Sequence, residues 1–297
     1  MSNFWSIWII FLTALNVYFC FWLVRWTVKP RTGEAATGDV TGHAWDGLEE
    51  YNNPLPKWWL NMFYATLIFT VGYLILYPGM GAFPGVLGWT KENQHAREVM
   101  AADEKYGPIF AQFAGQPVEE LVKNEEAVKL GRTLFSTYCT VCHGSDAAGA
   151  RGFPNLTDDD WLYGGDPATI KATLQNGRSG IMPAHLPIIG EEGVEQVANY
   201  VVTLSGREPE DAAAAEKGKE IFGNVCAACH MPDGTGMQAL GAPNLTDDIW
   251  LYGGDLRTIR ETLINGRNGV MPAQQQFLGD DKIHLLTTYV YSLSHSE

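Results

Sequence analysis

Residues 139–143 read Cys-Thr-Val-Cys-His, and residues 226–230, 87 positions later, read Cys-Ala-Ala-Cys-His. In each string the two cysteines and the histidine stand at positions i, i+3 and i+4, which lie on one face of a helix. With Cys20, the two strings hold all five cysteines of a 297-residue chain, too few for a disulfide scaffold. The strings therefore indicate a duplicated site with its own chemistry.

Cys-x-x-Cys-His is the pattern by which haem c is attached to a protein. Each cysteine can bond one vinyl group of the porphyrin, and the histidine then faces the iron. A zinc ribbon has Cys-x-x-Cys pairs about 15–20 residues apart, whereas 83 residues separate Cys142 from Cys226. A thioredoxin-like site would follow a strand, and the pattern here is helical. The sequence predicts two covalently bound haem c groups, attached at Cys139, Cys142, Cys226 and Cys229, with His143 and His230 as axial iron ligands.

A longer repeat follows the two strings. Residues 154–183 read PNLTDDDWLYGGDPATIKATLQNGRSGIMP, and residues 243–272 read PNLTDDIWLYGGDLRTIRETLINGRNGVMP, with 22 of 30 positions identical. Such self-similarity indicates a duplication without any alignment. Apolar residues at helical spacing, without strand-like alternation, predict an all-α fold for the chain, in which the first helix of each copy runs into the Cys-x-x-Cys-His string. We expect the units at 124–207 and 208–297, after a linker at 91–123.

The second axial ligand of each iron is expected at a position that repeats. Met182 and Met271 stand in the same string, Asn-Gly-Arg-x-Gly-x-Met-Pro, and a thioether is a known axial ligand of electron-carrying haems. His185 is a rival ligand, but its counterpart in the second copy is Gln274. Each methionine is able to serve the iron of its own repeat or that of the other repeat, and the spacing leaves this open.

The first ninety residues differ from the rest. Eight of the ten tryptophans lie before residue 91, and two uncharged apolar runs, at about 4–26 and 58–78, are long enough to cross a membrane. Residues 1–90 are therefore expected to form a membrane anchor with two transmembrane helices in a bacterial inner membrane. The loop at 25–57 carries all four basic residues of the anchor, which predicts a cytoplasmic loop and periplasmic haem units. A cleaved signal peptide fits poorly, because no basic segment precedes the first run.

Residues 91–297 are strongly acidic. They contain 29 acidic and 16 basic residues, a formal charge of −13. This charge excludes a nucleic-acid binder, which needs a cationic surface. It favours a basic protein as the partner.

Each copy, with Cys-x-x-Cys-His, then Pro-Asn-Leu and a distant Met-Pro, resembles the class I cytochrome c family. The resemblance implies that the carbonyls of Pro154 and Pro243 accept a hydrogen bond from the Nδ1 atoms of His143 and His230. It also implies side chains that reach the haem propionates, with core packing as the alternative for the aromatic ones. These side chains are Trp161, Tyr163 and Arg178 in the first copy and Trp250, Tyr252 and Arg267 in the second.

A narrower resemblance covers nearly the whole chain. The string WDGLEEYNNPLPKWW at 45–59, followed by an apolar run and two haem c repeats, resembles the CcoP family, the dihaem subunit (subunit III) of cbb3-type cytochrome c oxidases. The resemblance implies a relay that takes electrons from a soluble or membrane-anchored cytochrome c. It would pass them through a monohaem cytochrome c subunit to the haem–copper catalytic subunit. The chain would not be an enzyme by itself, but part of an oxygen-reducing, proton-pumping complex.

Two other functions are compatible with the residues. One is a free-standing membrane dihaem carrier or the cytochrome subunit of a dehydrogenase. The other is a dihaem peroxidase, which needs one iron with an open position. Matching methionines in both copies argue against the peroxidase.

Overall fold

A computed structural model describes residues 2–29 and 31–295 of the chain. The chain divides into two compact units, Met1–Lys105 and Tyr106–Glu297. Helix α3 (Lys91–Ala111) crosses the division.

The first unit contains two long apolar helices, α1 (Asn3–Thr27) and α2 (Lys57–Leu76). Among the described residues of these helices only Val24 is buried, although nearly all their side chains are apolar. Helices that are apolar on every side need an apolar surrounding. By length and composition, both are able to cross a membrane. Their bounds lie within two residues of the runs found in the sequence.

A β-hairpin lies between these helices, formed by β1 (Val40–Trp45) and β2 (Leu48–Tyr51). Asp46 and Gly47 form its two-residue turn with φ angles of 49° and 83°. Asp-Gly is a favoured dipeptide for such a turn, because both residues must adopt positive φ. The all-α prediction is wrong for this segment. The Asp-Gly turn specifies a hairpin although the flanking residues do not alternate between apolar and polar.

The second unit is mostly helical, and four of its helices begin at a capping side chain. Asn124 caps α5 (Glu125–Tyr138) and Asp211 caps α9 (Ala212–Ile221), each through a side-chain oxygen that accepts backbone N–H groups. Asp166 and Asp255 cap α7 (Pro167–Asn176) and α11 (Leu256–Asn265) in the same way. The first copy contains α4 (Val118–Leu121), α5 (Glu125–Tyr138), α6 (Thr140–His143), α7 (Pro167–Asn176) and α8 (Leu186–Leu204). The second contains α9 (Ala212–Ile221), a π-helical turn (Phe222–Cys226), α10 (Ala227–His230), α11 (Leu256–Asn265), α12 (Gln275–Leu278) and α13 (Asp280–His295).

The two Asn-Gly-Arg-x-Gly-x-Met-Pro strings form strands rather than loops, which is a second departure from the all-α prediction. Strand β3 (Arg178–Met182) pairs antiparallel with β4 (Arg267–Met271). Gly180 lies opposite Gly269 at the centre of the pair. Each strand is the other's partner, so their hydrogen bonds form only when the two copies meet.

Each hydrophobic core draws on both copies of the repeat. The His143 core joins α5 and α7 of the first copy to α13 of the second, and the His230 core joins α9 and α11 of the second copy to α8 of the first. Buried members of the His143 core are Leu134, Phe135, Ile170, Leu174, Ile283, Leu286 and Tyr289. Buried members of the His230 core are Val194, Val197, Val201, Phe222, Leu256, Ile259 and Leu263. The last helix of each copy is therefore exchanged.

Both exchanged helices cross their partners at a glycine. A Cβ added at Gly131 of α5 would collide with the backbone carbonyl oxygen of Leu285 in α13. A Cβ added at the equivalent Gly218 of α9 would collide with the carbonyl oxygen of Gln196 in α8. The two backbones approach this closely because glycine has no side chain.

Candidate haem sites

The two motif histidines make the same hydrogen bond in both copies. The Nδ1 atom of His143 lies 3.1 Å from the carbonyl oxygen of Pro154, and that of His230 lies 3.1 Å from the carbonyl oxygen of Pro243. A carbonyl oxygen only accepts, so Nδ1 carries the proton and Nε2 keeps its lone pair. This is the tautomer that an iron-ligating histidine requires, and the geometry matches what the class I cytochrome c resemblance implies.

Burial lowers the pKa of both histidines, although the bonds to Pro154 and Pro243 act in the opposite direction. His185 also lowers the pKa of His230 through its charge. Both rings are therefore neutral near pH 7, as metal ligation demands.

The motif cysteines lie at different depths. Cys139 is half-buried and Cys226 is buried, while Cys142 and Cys229 are exposed. Burial raises the pKa of Cys139 to about 11, with a further contribution from Cys142, and burial raises that of Cys226 to about 11, with a contribution from Cys229. Before haem attachment, the deeper cysteine of each pair is therefore a protonated thiol at neutral pH.

The helix that precedes each motif is interrupted, whereas the sequence predicts a continuous one. In the first copy α5 ends at Tyr138 and α6 begins after Cys139. In the second copy α9 passes into the π-helical turn Phe222–Cys226 before α10. Both interruptions leave the histidine at the last position of a short helix, α6 or α10, beside the core. For example, the rings of Phe135 and His143 lie 6.4 Å apart.

The predicted arginines and aromatic residues lie together in each copy. The guanidinium of Arg178 lies 4.6 Å from the ring centroid of Tyr163, and that of Arg267 lies 4.4 Å from the ring of Tyr252. Their Nε atoms donate to neighbouring threonine hydroxyls at 2.9 and 3.0 Å. Trp161 packs against the His143 core and Trp250 against the His230 core.

Nη2 of Arg267 and Nε1 of Trp250, in the second copy, are among the buried donors that have no partner in the described part of the chain. A buried donor costs free energy unless it is satisfied, and a charged one is best satisfied by an anion. These atoms fit the propionates of a haem, and the neutral histidine and paired thiols fit its iron and vinyl groups.

The two candidate methionines lie in opposite copies' cores. Met182 packs against the His230 core, and Met271 packs against the His143 core. His185 is 8% exposed and its Nδ1 atom has no partner. It also lies near the His230 core, since it interacts electrostatically with His230.

Arg207 is a residue that the sequence does not single out. Its guanidinium lies 5.2 Å from the ring centroid of Trp250 and donates to the carbonyl oxygen of Gly254 at 2.7 Å. Its Nη2 atom is buried without a partner. It follows α8, in a segment that reads as a boundary between copies, and only the exchange of α8 brings it to the second site.

Two family models match the chain. One, described as the N-terminal domain of cytochrome oxidase-cbb3, FixP, matches residues 37–84. The other, described as cytochrome c oxidase, cbb3-type, subunit III, matches residues 126–201 and again 213–290.

Similar proteins are known along the full length. The chain is 47% identical to the cbb3-type cytochrome c oxidase subunit CcoP of Rubrivivax gelatinosus, covering 100% of this chain and 98% of that protein. It is 44% identical to subunit FixP of Azorhizobium caulinodans, covering 86% and 92%. It is 39% identical to subunit CcoP of Cereibacter sphaeroides, covering 91% and 100%. The chain therefore belongs to the CcoP/FixP family, the membrane-anchored cytochrome c subunits of cbb3-type cytochrome c oxidase.

Proposed function

We propose that this chain carries two haem c groups, one on each motif, and relays electrons from a donor cytochrome c to the catalytic part of the oxidase. The next carriers are a monohaem cytochrome c subunit and the haem–copper subunit, which reduces oxygen in a proton-pumping complex. The observation that carries the proposal is the pair of equal hydrogen bonds, His143 to Pro154 and His230 to Pro243. When bound, a haem accepts and returns one electron through its iron.

The residues of the chain fit a relay rather than a catalyst. Each core has a neutral imidazole beside it and one of the two methionines, Met182 or Met271, packed against it, whose thioether would supply a second ligand. Methionine ligation raises the potential of a haem, which suits transfer toward a strong oxidant. An iron with two protein ligands has no open position for oxygen or peroxide, which favours the relay over a dihaem peroxidase.

The proposed arrangement in the inner membrane has α1 and α2 as two spans. The four basic residues at 25–57 support a cytoplasmic loop, with the haem-bearing unit in the periplasm, where haem c is attached. A reporter fused after Glu34 should read as cytoplasmic. A periplasmic signal at that position would contradict the proposed orientation.

The acidic surface supports a basic donor. The chain has a formal net charge of −14, with most acidic residues after residue 90. Association with a basic cytochrome c should slow as ionic strength rises from about 0.1 M to 1 M, because the Debye length falls from about 10 Å to 3 Å. An association rate that does not depend on salt would count against electrostatic steering.

The direct test measures haem in the purified full chain. A pyridine haemochrome assay should give two haem c per chain, and Cys139→Ala with Cys142→Ala should reduce the count to one. The reduced wild type should not bind CO, because both irons are fully ligated. Co-purification of the haem–copper subunit separates the oxidase relay from a free-standing carrier or a dehydrogenase subunit.

A further inference from the structure

The two candidate haem sites differ in the charges that border them. Arg207 lies at the His230 site, with its guanidinium 5.2 Å from the ring centroid of Trp250. It follows the last helix of the first copy, and the corresponding residue of the second copy is Ser296. The duplication therefore supplies a guanidinium at this position once and not twice.

Hydrogen bonds hold two of the three guanidinium nitrogens of Arg207. Nε donates to Oγ of Ser205 at 2.8 Å, and Nη1 donates to the carbonyl oxygen of Gly254 at 2.7 Å. Nη2 is buried and has no partner in the described part of the chain. A buried charged donor that stays unsatisfied costs free energy, and an anion satisfies it best. The arrangement therefore favours an anionic group at Nη2.

The equivalent place at the His143 site is a cavity. Trp161 and Gly165 line it, and these are the counterparts of Trp250 and Gly254 at the other site. The imidazole of the exposed His295, at the end of α13, lines it as well. The two sites therefore share the wall that Arg207 contacts, and the guanidinium fills that place at one site.

Other donors without a partner lie on the same side of this comparison. Nε1 of Trp250 and Nη2 of Arg267 are buried and unsatisfied, as Nη2 of Arg207 is. Among the described residues of the first copy, the corresponding atoms of Trp161 and Arg178 are not buried and unsatisfied in this way. The demand for an anion is therefore concentrated at the His230 site, and the carboxylates of a haem are the anions that the proposed function brings there.

We propose that Arg207 binds a propionate of the haem at residues 226–230 and raises the potential of that haem, without a counterpart at the haem at residues 139–143. This rests on the proposed function, because it presupposes a haem on each motif. Arg207 then makes two otherwise similar haems unequal and favours the electron on the His230 haem.

The physical reason is the charge that reduction adds. A guanidinium that neutralises a propionate stabilises the reduced iron more than the oxidised iron, since the extra electron is attracted to it. The attraction is stronger where water is excluded. His230 is 7% exposed, whereas His143 is only partly buried. The charge of Arg207 therefore acts at the drier of the two sites.

The test is a potentiometric titration of the purified full chain with both haems. Arg207→Gln keeps a side-chain amide that is able to donate to the carbonyl of Gly254, but it removes the charge. At the potential at which half of the wild-type His230 haem is reduced, its ratio of reduced to oxidised form should fall about three- to tenfold. This corresponds to a shift of about 30–60 mV for one electron. The potential of the other haem should not change.

Arg207→Lys separates charge from hydrogen bonding. Lysine keeps the positive charge and loses the fork of donors, so the potential should stay close to that of the wild type. Arg257→Gln is the matched control, because it removes an exposed arginine from α11 of the same copy. It should leave both potentials unchanged. All three variants should hold two haems, since the cysteines retain the haem independently of Arg207.

Single-haem variants of the full chain assign the shift to one haem. Cys139→Ala with Cys142→Ala leaves the haem at residues 226–230, and Arg207→Gln should lower its potential. Cys226→Ala with Cys229→Ala leaves the haem at residues 139–143, which should not respond.

The assignment is also available in the chain with two haems, in case a single-haem variant does not fold. The step that Arg207→Gln lowers should be the one that Arg267→Gln lowers. It should differ from the step that Arg178→Gln lowers, because Arg178 belongs to the first copy.

Unchanged potentials in Arg207→Gln, or an equal fall of both potentials, would overturn the role of Arg207. So would a fall in Arg207→Lys as large as in Arg207→Gln, which would show that its hydrogen bonds and not its charge matter. If the chain still holds two haems and delivers electrons, the proposed function stands and only this role is wrong. A wild-type chain without a haem at residues 226–230 contradicts both.

Discussion

The His143 core and the His230 core are built from equivalent helices, but the residues next to the two motifs differ. Gly144 follows the histidine in the first copy, and Met231 occupies that place in the second. In the first copy the preceding helix ends at Tyr138, at the start of the motif, whereas in the second copy a π-helical turn leads into the motif. Both histidines nevertheless make a 3.1 Å bond to a proline carbonyl. This hydrogen bond is therefore common to both sites, while the chain around it varies.

The largest expected effect comes from the helix crossings that hold the exchanged helices. Gly131→Ala and Gly218→Ala should each lower the free energy of unfolding by about 1–3 kcal/mol, because the new methyl group meets backbone that must shift. Gly107→Ala is the control, since a Cβ there has nothing within 4 Å. Urea unfolding of the full chain in detergent measures all three. If Gly131→Ala and Gly218→Ala change the free energy of unfolding no more than Gly107→Ala does, the close approach of the helix backbones is contradicted.

The next effect tests the residue after each histidine. Met231 has φ 62° and ψ 157°, and Gly144 has φ 78° and ψ 159°, a region that costs a residue with a side chain about 1–3 kcal/mol. Met231→Gly should therefore raise the free energy of unfolding by about 1 kcal/mol, part of the relief being offset by the freedom of glycine in the unfolded chain. Gly144→Ala should lower it, since the added Cβ would lie 2.8 Å from a carboxylate oxygen of Asp146. Thermal melts in which both variants are destabilised would contradict the strain at Met231.

A smaller effect is a pH dependence of stability that arises in the first copy only. Asp160 has Ile249 as its counterpart, and burial, with Asp247 and then Asp158, raises the pKa of Asp160 to about 6 from an ordinary value of 3.8. The folded chain thus holds this proton more tightly than the unfolded chain. Protonation of Asp160 therefore contributes stability below about pH 4, and this contribution is lost as pH rises through about 6.

Asp160→Asn should remove this pH dependence. The melting temperature near pH 7 should rise by roughly 2 °C, with little change near pH 4. Asp159→Asn, at an exposed neighbouring position, is the matched control. An equal rise at both pH values would mean that the carboxylate of Asp160 is not responsible.

The smallest effect is expected from an ion pair that joins the two copies at the surface. Arg151 and Glu261 lie 3.2 Å apart, with side chains 62% and 42% exposed. Exposed pairs contribute little, so Arg151→Gln should change the free energy of unfolding by less than about 0.5 kcal/mol. A loss comparable to that of Gly131→Ala would show that surface charge, rather than helix packing, holds the exchanged copies together.

Much of the site follows from short strings of sequence. The Cys-x-x-Cys-His strings place their residues by local helix geometry, and Asn124 or Asp166 marks a helix start through its own side chain. The hairpin at Asp46 and Gly47 is also predictable from its turn residues, because Asp-Gly favours a two-residue turn. Strands β3 and β4 were not readable in this way, because each depends on a partner 89 residues away.

Two equivalent motifs, each with a histidine and with a methionine about forty residues later, follow from the amino-acid sequence alone. Which methionine packs against which core depends on the tertiary structure. Because 22 of 30 positions in the repeats are identical, either copy presents nearly the same surface to a returning Met-Pro segment. Local propensity and spacing are therefore the same for both pairings. The choice is made by contacts between the copies, namely the β3–β4 pair, the backbone hydrogen bonds from His185 to Leu263 and from Gln274 to Leu174, and the close helix crossings at Gly131 and Gly218.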